Sequence, residues 1–170
     1  MKTLIIHPQD PTTDFLKVIY KDTDYTIINS RPKKKDLKEA IKSHDRIIML
    51  GHGYEKGLFD SEQNVIIDSN LVYLLREKEC VAVWCNADVF FLKYGLKGIY
   101  TGMIISEYIE SMMYSILCDY ADIENSNVWF AREMKTLIES DDLDNFKLNY
   151  LDIDNNIVQF NRQNVYKKKY

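Results

Sequence analysis

The stretch Arg46-Ile47-Ile48-Met49-Leu50-Gly51-His52-Gly53 decides how this chain is read. Ile47 to Leu50 is too short a run for a helix and is apolar on both faces, which describes a strand inside a parallel sheet. It stops abruptly at an imidazole. A second run, Cys80-Val81-Ala82-Val83-Trp84-Cys85-Asn86, stops in the same way at a thiol. Open α/β sheets place their sites at the carboxyl ends of parallel strands, so two neighbouring strands of this kind bring His52 and Cys85 to one crevice.

The elements on either side fit that sheet. Lys2 to His7 reads as a first strand closed by the Pro8–Pro11 loop, and Thr12 or Thr13 is expected to cap a helix through Phe15, Leu16, Val18 and Ile19. Tyr25 to Asn29 is a short β-branched strand. Asp36 to Ser43 carries Leu37, Ala40 and Ile41 at helical spacing. After Gly53, the pieces Gly57–Asp60 and Asn64–Asp68 predict a small hairpin, and Ser69 is expected to cap a helix bearing Leu71, Leu74 and Leu75. Val81 to Trp84 is the fourth strand, Val89 to Tyr94 a short helix started by Asn86 or Asp88 and ended by Gly95, and Gly98 to Thr101 the fifth strand.

Farther on, Ile109, Met112, Met113, Ile116, Leu117 and Tyr120 recur at helical spacing and predict one helix with an apolar stripe. Another helix is expected over Val128 to Ile138. Residues 141–170 are Asn- and Asp-rich with scattered aromatics, Phe146, Tyr150, Phe160 and Tyr166, that can cover a core face or meet a second subunit; they are read as a C-terminal extension without assigned elements. Strands alternating with helices describe an α/β three-layer sandwich with a mostly parallel sheet, in one domain over 1–170.

Composition narrows the function. The chain has 170 residues, 46% of them hydrophobic and 28% charged, which is ordinary for a globular protein. A net charge of -4 argues against general nucleic-acid binding. The basic clusters Arg31-Pro32-Lys33-Lys34-Lys35 and Lys167-Lys168-Lys169-Tyr170 read as solvated loop and tail. No apolar run is long enough for a bilayer, and the first residues do not form a signal peptide, so a cytoplasmic protein without a membrane partner is expected. Three cysteines, Cys80, Cys85 and Cys118, with no C-x-x-C spacing, predict neither a disulfide framework nor a structural zinc site. Cys80 and Cys118 are expected to be packing residues. His7 ends a strand at the same edge as His52 and is a further polar candidate there, while His44 sits at the end of a charged helix.

A thiol with a reference pKa near 8.5 is a modest nucleophile until an imidazole takes its proton. The oxyanion formed on a carbonyl then needs backbone donors. A hydrophobic strand ending in His-Gly, followed by a second ending in Cys, resembles the caspase-like clan of cysteine peptidases, which includes caspases, legumains, gingipains and CHAT-domain proteases. The resemblance spans Met1 to Ala121 by element order. It implies a caspase-like topology, with His52 as base, Cys85 as nucleophile, and the N–H groups of Gly53 and Cys85 in the oxyanion hole. It also implies a peptide or protein substrate and no cofactor.

Clan members usually carry a small residue before the cysteine and a glycine soon after; here Trp84 precedes it and Asn86-Ala87-Asp88 follows. Trp84 is therefore expected to point into the sheet packing while Cys85 alternates out to the loop. Ser106 or Glu107 is a candidate to orient His52 or read a basic substrate side chain, and Asp88 to do the latter. Helix-dipole stabilisation at a helix start is the plainer role for Glu107 and Glu110.

Two other readings stand beside the peptidase: a catalytically inactive module of the same fold that binds or scaffolds, and a flavodoxin-like nucleotide or cofactor binder using the same crevice. Gly51-x-Gly53-x-x-x-Gly57 misses the dinucleotide spacing, and no Walker loop, G-x-S-x-G elbow or H-E-x-x-H helix occurs. A homo-oligomer is left open.

Overall fold

The computed structural model describes residues 1–149 and 153–168. Six strands form the main sheet: β1 (Thr3–Ile6), β2 (Thr26–Ile28), β3 (Arg46–Leu50), β7 (Glu79–Val83), β8 (Gly98–Thr101) and β9 (Val165–Lys168). Their order is β2-β1-β3-β7-β8-β9, and all pairings are parallel except β8 with β9. A second sheet of three antiparallel strands, β4 (His52–Tyr54), β5 (Gly57–Phe59) and β6 (Val65–Ile67), follows β3 directly. The hairpin expected after Gly53 is thus one strand larger, and it begins at His52 itself.

Helices cover both faces of the main sheet, giving the three layers. Alternation along the strands divides the core in two. Leu4, Ile6, Ile47, Met49, Cys80, Ala82 and Trp84 pack under α1 (Lys34–Lys42), α2 (Val72–Leu75), α3 (Ala87–Tyr94) and the small sheet. Ile5, Ile48, Leu50, Val81 and Val83 pack on the other face, under the 3-10 helix Pro11–Tyr20, α5 (Tyr120–Ser140), α6 (Leu143–Leu148) and α7 (Asn156–Gln163). The connection leaving β1 lies on the face opposite those leaving β2, β3 and β7. Strand order therefore reverses between β1 and β3, and the crevice at their carboxyl ends is the topological switch point.

Several local expectations are corrected. The helix after β1 is 3-10 rather than α, and its cap is Asp10, whose side chain accepts from Thr12 N, with Pro11 in the first turn; neither Thr12 nor Thr13 is the cap. Asp68, not Ser69, caps the turn before α2. The apolar stripe from Ile109 to Tyr120 does not form one helix: α4 (Tyr108–Met113) ends, Ser115 takes φ 54°, and Ile116 N donates back to Ser111 O at 2.9 Å. Asp119 and Asp122 then make a capping box that starts α5. Met112, Met113, Leu117 and Tyr120 are left exposed.

The described residues beyond 141 are part of the architecture. Val165 pairs with Thr101 and Lys168 with Gly98, so β9 closes the sheet edge beyond β8. Lys167 belongs to that strand and pairs with Asp141 at 2.6 Å, which corrects the reading of Lys167 and Lys168 as a solvated tail. Phe146 is buried. Tyr150, Lys169 and Tyr170 lie outside the described residues.

Candidate functional site

β3 and β7 pair in register from Arg46 with Glu79 to Leu50 with Val83, and Gly51 N extends the ladder by donating to Val83 O at 3.0 Å. His52 and Cys85 each stand two residues past the last paired positions, His52 at the start of β4 and Cys85 in the turn between β7 and α3. Both line one small cleft at the carboxyl edge, together with Thr13, Ser106, Ile104 and Phe130. Its volume is about 20 Å³, room for roughly one water molecule.

His52 is half-buried at the start of β4, and its ring stacks on Phe59 with centroids 6.2 Å apart. Its Nε2 lies 2.6 Å from Thr12 Oγ1, and Thr12 Oγ1 lies 2.8 Å from Asp10 Oδ1. A carboxylate only accepts, so the single hydroxyl proton of Thr12 goes to Asp10. The hydroxyl oxygen is left to accept from His52, and the neutral ring therefore carries its proton on Nε2 and its lone pair on Nδ1. Asp10 and Thr12 set the tautomer of His52. Ser106 and Glu107, expected in that role, make no hydrogen bond to the ring: Ser106 N and Oγ and Glu107 N all donate to Glu110 Oε2, at 2.7, 3.3 and 3.0 Å.

Cys85 sits at a sharp turn between β7 and α3. Asn86 follows it with φ 64°, a left-handed conformation that asparagine tolerates better than most residues, and Ala87 N donates to Trp84 O at 3.3 Å. Trp84 points into the core, 2% exposed, with its indole N–H on Tyr54 O at 3.3 Å, while Cys85 turns to the opposite face as alternation requires. The amide of Cys85 has no hydrogen-bond partner among the described residues, which leaves it available as a donor.

Cys85 Sγ donates to Ile104 O at 3.5 Å, and no hydrogen bond joins it to His52. Burial pushes the thiol up from its ordinary 9.0 to about 11, and the carboxylates of Glu110 and Glu107 push it the same way.

Ile104 and Ser106 line the cleft beside the sulfur, and the segment from Gly102 to Glu107 that carries them is tied down from several sides. Gly102 N donates to Asn164 O at 2.8 Å, and Asn86 N to Gly102 O at 3.1 Å. Asn161 of α7, 1% exposed, makes a two-pronged clamp on Ile105, accepting from its N–H and donating to its carbonyl, both at 2.8 Å. Asn127 of α5 donates to Ser106 O at 2.9 Å. The C-terminal helix thus holds that segment in place.

Other candidates fall elsewhere. Asp88 lies in the first turn of α3, away from the cleft lining, with Oδ1 buried and without a hydrogen-bond partner. Gly53 pairs with Leu58 in the small sheet, and a Cβ there would come within 2.2 Å of Trp84 Cδ1, so close packing alone demands glycine. His7 is buried between Tyr20 Oη at 3.0 Å and Thr13 Oγ1 at 3.1 Å, and burial lowers its pKa to about 4. Cys80 is buried with its thiol on Leu75 O at 3.5 Å and pushed up to about 12; Cys118 packs partly buried beside Ile105, Ile123 and Ile157. Among the described residues, no group of three or more His, Cys, Asp or Glu side chains is placed to hold a metal ion, and no helix is long and apolar enough to cross a membrane.

Comparison with family models, with curated proteins and with solved structures gives no match for this chain.

Proposed function

We propose that the protein is a thiol hydrolase of the caspase-like kind, acting on a peptide bond and held here in a closed, latent state. The observation that carries the proposal is the hydrogen-bond chain from Asp10 through Thr12 to His52. Asp10 and Thr12 spend a carboxylate and a hydroxyl on orienting one imidazole that lines the same cleft as a cysteine, and leave its Nδ1 lone pair unspent.

In the proposed mechanism, the Gly102–Glu107 cover moves off the cleft and the Ile104 carbonyl leaves the sulfur. Nδ1 of His52 takes the thiol proton as Cys85 Sγ attacks the scissile carbonyl carbon. The N–H of Cys85 holds the oxyanion. His52 passes the proton to the leaving amine, the acyl–sulfur bond remains, and water activated by the same imidazole hydrolyses it. No cofactor enters.

Two features favour a second reading, a catalytically silent binding module: a thiol pushed up to about 11, and a cleft of only about 20 Å³. The cleft's size lends no support to a nucleotide at the strand ends. The two main readings separate on an electrophilic peptide probe. Covalent capture at Cys85 that is lost in His52→Ala supports the hydrolase; capture at Cys85 with the same rate in His52→Ala, or none at all, favours the silent module.

A further inference from the structure

A wider opening than that cleft belongs to a different part of the fold. A cavity of about 470 Å³ lies between the N-terminal turn of α1 and the strand β6, within the range of small-molecule sites. It shares no residue with the cleft of His52 and Cys85. In the small sheet, β6 is separated from β4 by β5, so the cavity and His52 lie on opposite margins of that sheet.

Its walls divide by chemistry. Leu37, Ile66 and Leu71 give it an apolar floor that is buried in the core. Arg31, Lys34 and Lys38 stand on its rim. None of these three makes a hydrogen bond or ion pair among the described residues, although the Lys38 ammonium lies 5.8 Å over the Tyr73 ring. The acid in the lining, Asp68, is committed: its oxygens accept from Asn70 N at 2.8 Å and Asn70 Nδ2 at 3.1 Å. Asp60, the acid whose charge Arg31 faces, is likewise held by Asn64 and Glu62 N–H groups in its own turn. The first turn of α1 has no side-chain cap, since Lys33 at the N-cap position makes no such bond.

We infer that this cavity is a binding site for an organic anion with one acidic head group and an apolar body. The head group sits against Arg31, Lys34 and Lys38, and the body lies on Leu37, Ile66 and Leu71. Positive charge over an apolar pocket is wasted on water alone; an amphiphilic anion uses both. The basic cluster read from sequence as solvated loop thereby has a ligand to meet. The inference does not depend on the thiol chemistry.

The test is a titration of the ¹⁵N-labelled full chain, followed by amide chemical shifts, with octanoate, with octanol as its uncharged counterpart, and with acetate as the head group alone. Octanoate is expected to give saturable shifts confined to residues 31–38 and 65–71, and both controls to bind at least about tenfold more weakly. The variant Arg31→Gln/Lys34→Gln/Lys38→Gln, altered only at the rim, is expected to weaken octanoate about tenfold or more while leaving the rest of the spectrum in place. Shifts that follow the exposed stripe of Ile109, Met113 and Leu117, octanol binding as well as octanoate, or an unchanged affinity in the triple variant would each overturn it.

Discussion

Removing Glu110 should wake the thiol of Cys85. In the closed state that thiol is raised from 9.0 to about 11, two units, which is about 3 kcal/mol favouring the neutral form and a thiolate fraction about a hundredfold smaller at pH 8. Alkylation runs through the thiolate. Iodoacetamide at pH 8, followed by mass spectrometry of the Cys85 peptide, should therefore label the native chain at least about a hundredfold more slowly than the chain in denaturant.

Glu110→Ala acts twice. It deletes the oxygen that ties Ser106 and Glu107, and it removes a negative charge that disfavours thiolate. The expected recovery is partial, on the order of tenfold in labelling rate, because burial, the larger cause, is relieved only in part. If the native wild type labels as fast as the denatured chain, Cys85 is already open or already ionised, and the latent state is wrong. If Glu110→Ala leaves the rate unchanged, the cover is not held where the hydrogen bonds place it.

Thr12→Val should release the ring of His52: ¹⁵N shifts of a single Nε2–H tautomer in the wild type should give way to a mixture, and an unchanged spectrum would remove Thr12 from the site. Gly53→Ala should cost about 2–3 kcal/mol in urea unfolding, since its Cβ would meet Trp84 Cδ1 at 2.2 Å and the fixed Gly57 O at 2.7 Å. His7 predicts an acid-sensitive window. Its folded pKa, lowered by burial from 6.5 to about 4, means that the unfolded chain takes up the proton first. That contribution is fully present above pH 6.5, is lost as pH falls to about 4, and amounts to about 3 kcal/mol. Asp45 and Asp60, lowered from 3.8, act below that window, so His7→Gln should flatten the slope between pH 6.5 and 4 without altering it further down.

The central strands could be read from sequence because burial on both faces leaves a continuous apolar run, and β3 and β7 are such runs. That His52 and Cys85 line one cleft is what those two runs led one to expect. Thr12 and Asp10 could not be found in that way. Their bond to His52 spans 40 residues, and a hydroxyl in a polar loop carries no periodic pattern. The one available signal was Asp10-Pro11-Thr12, a helix start placed by the same loop that leaves β1 for the switch point.

The apolar stripe misled because spacing is blind to a break in the backbone. Ile109 to Tyr120 keeps helical spacing across the left-handed Ser115, whereas the capping box at Asp119 marks where a new helix begins. β9 was missed because an edge strand buried mainly at Val165 reads as a basic tail.

The most direct test of the central claim is turnover of a mixed fluorogenic peptide library by the Glu110→Ala chain, beside the same chain carrying Cys85→Ala or His52→Ala. Cleavage in the first, abolished in both of the others while each stays folded, is the predicted result. Cleavage that survives Cys85→Ala, or no cleavage at all by the opened chain, would contradict it.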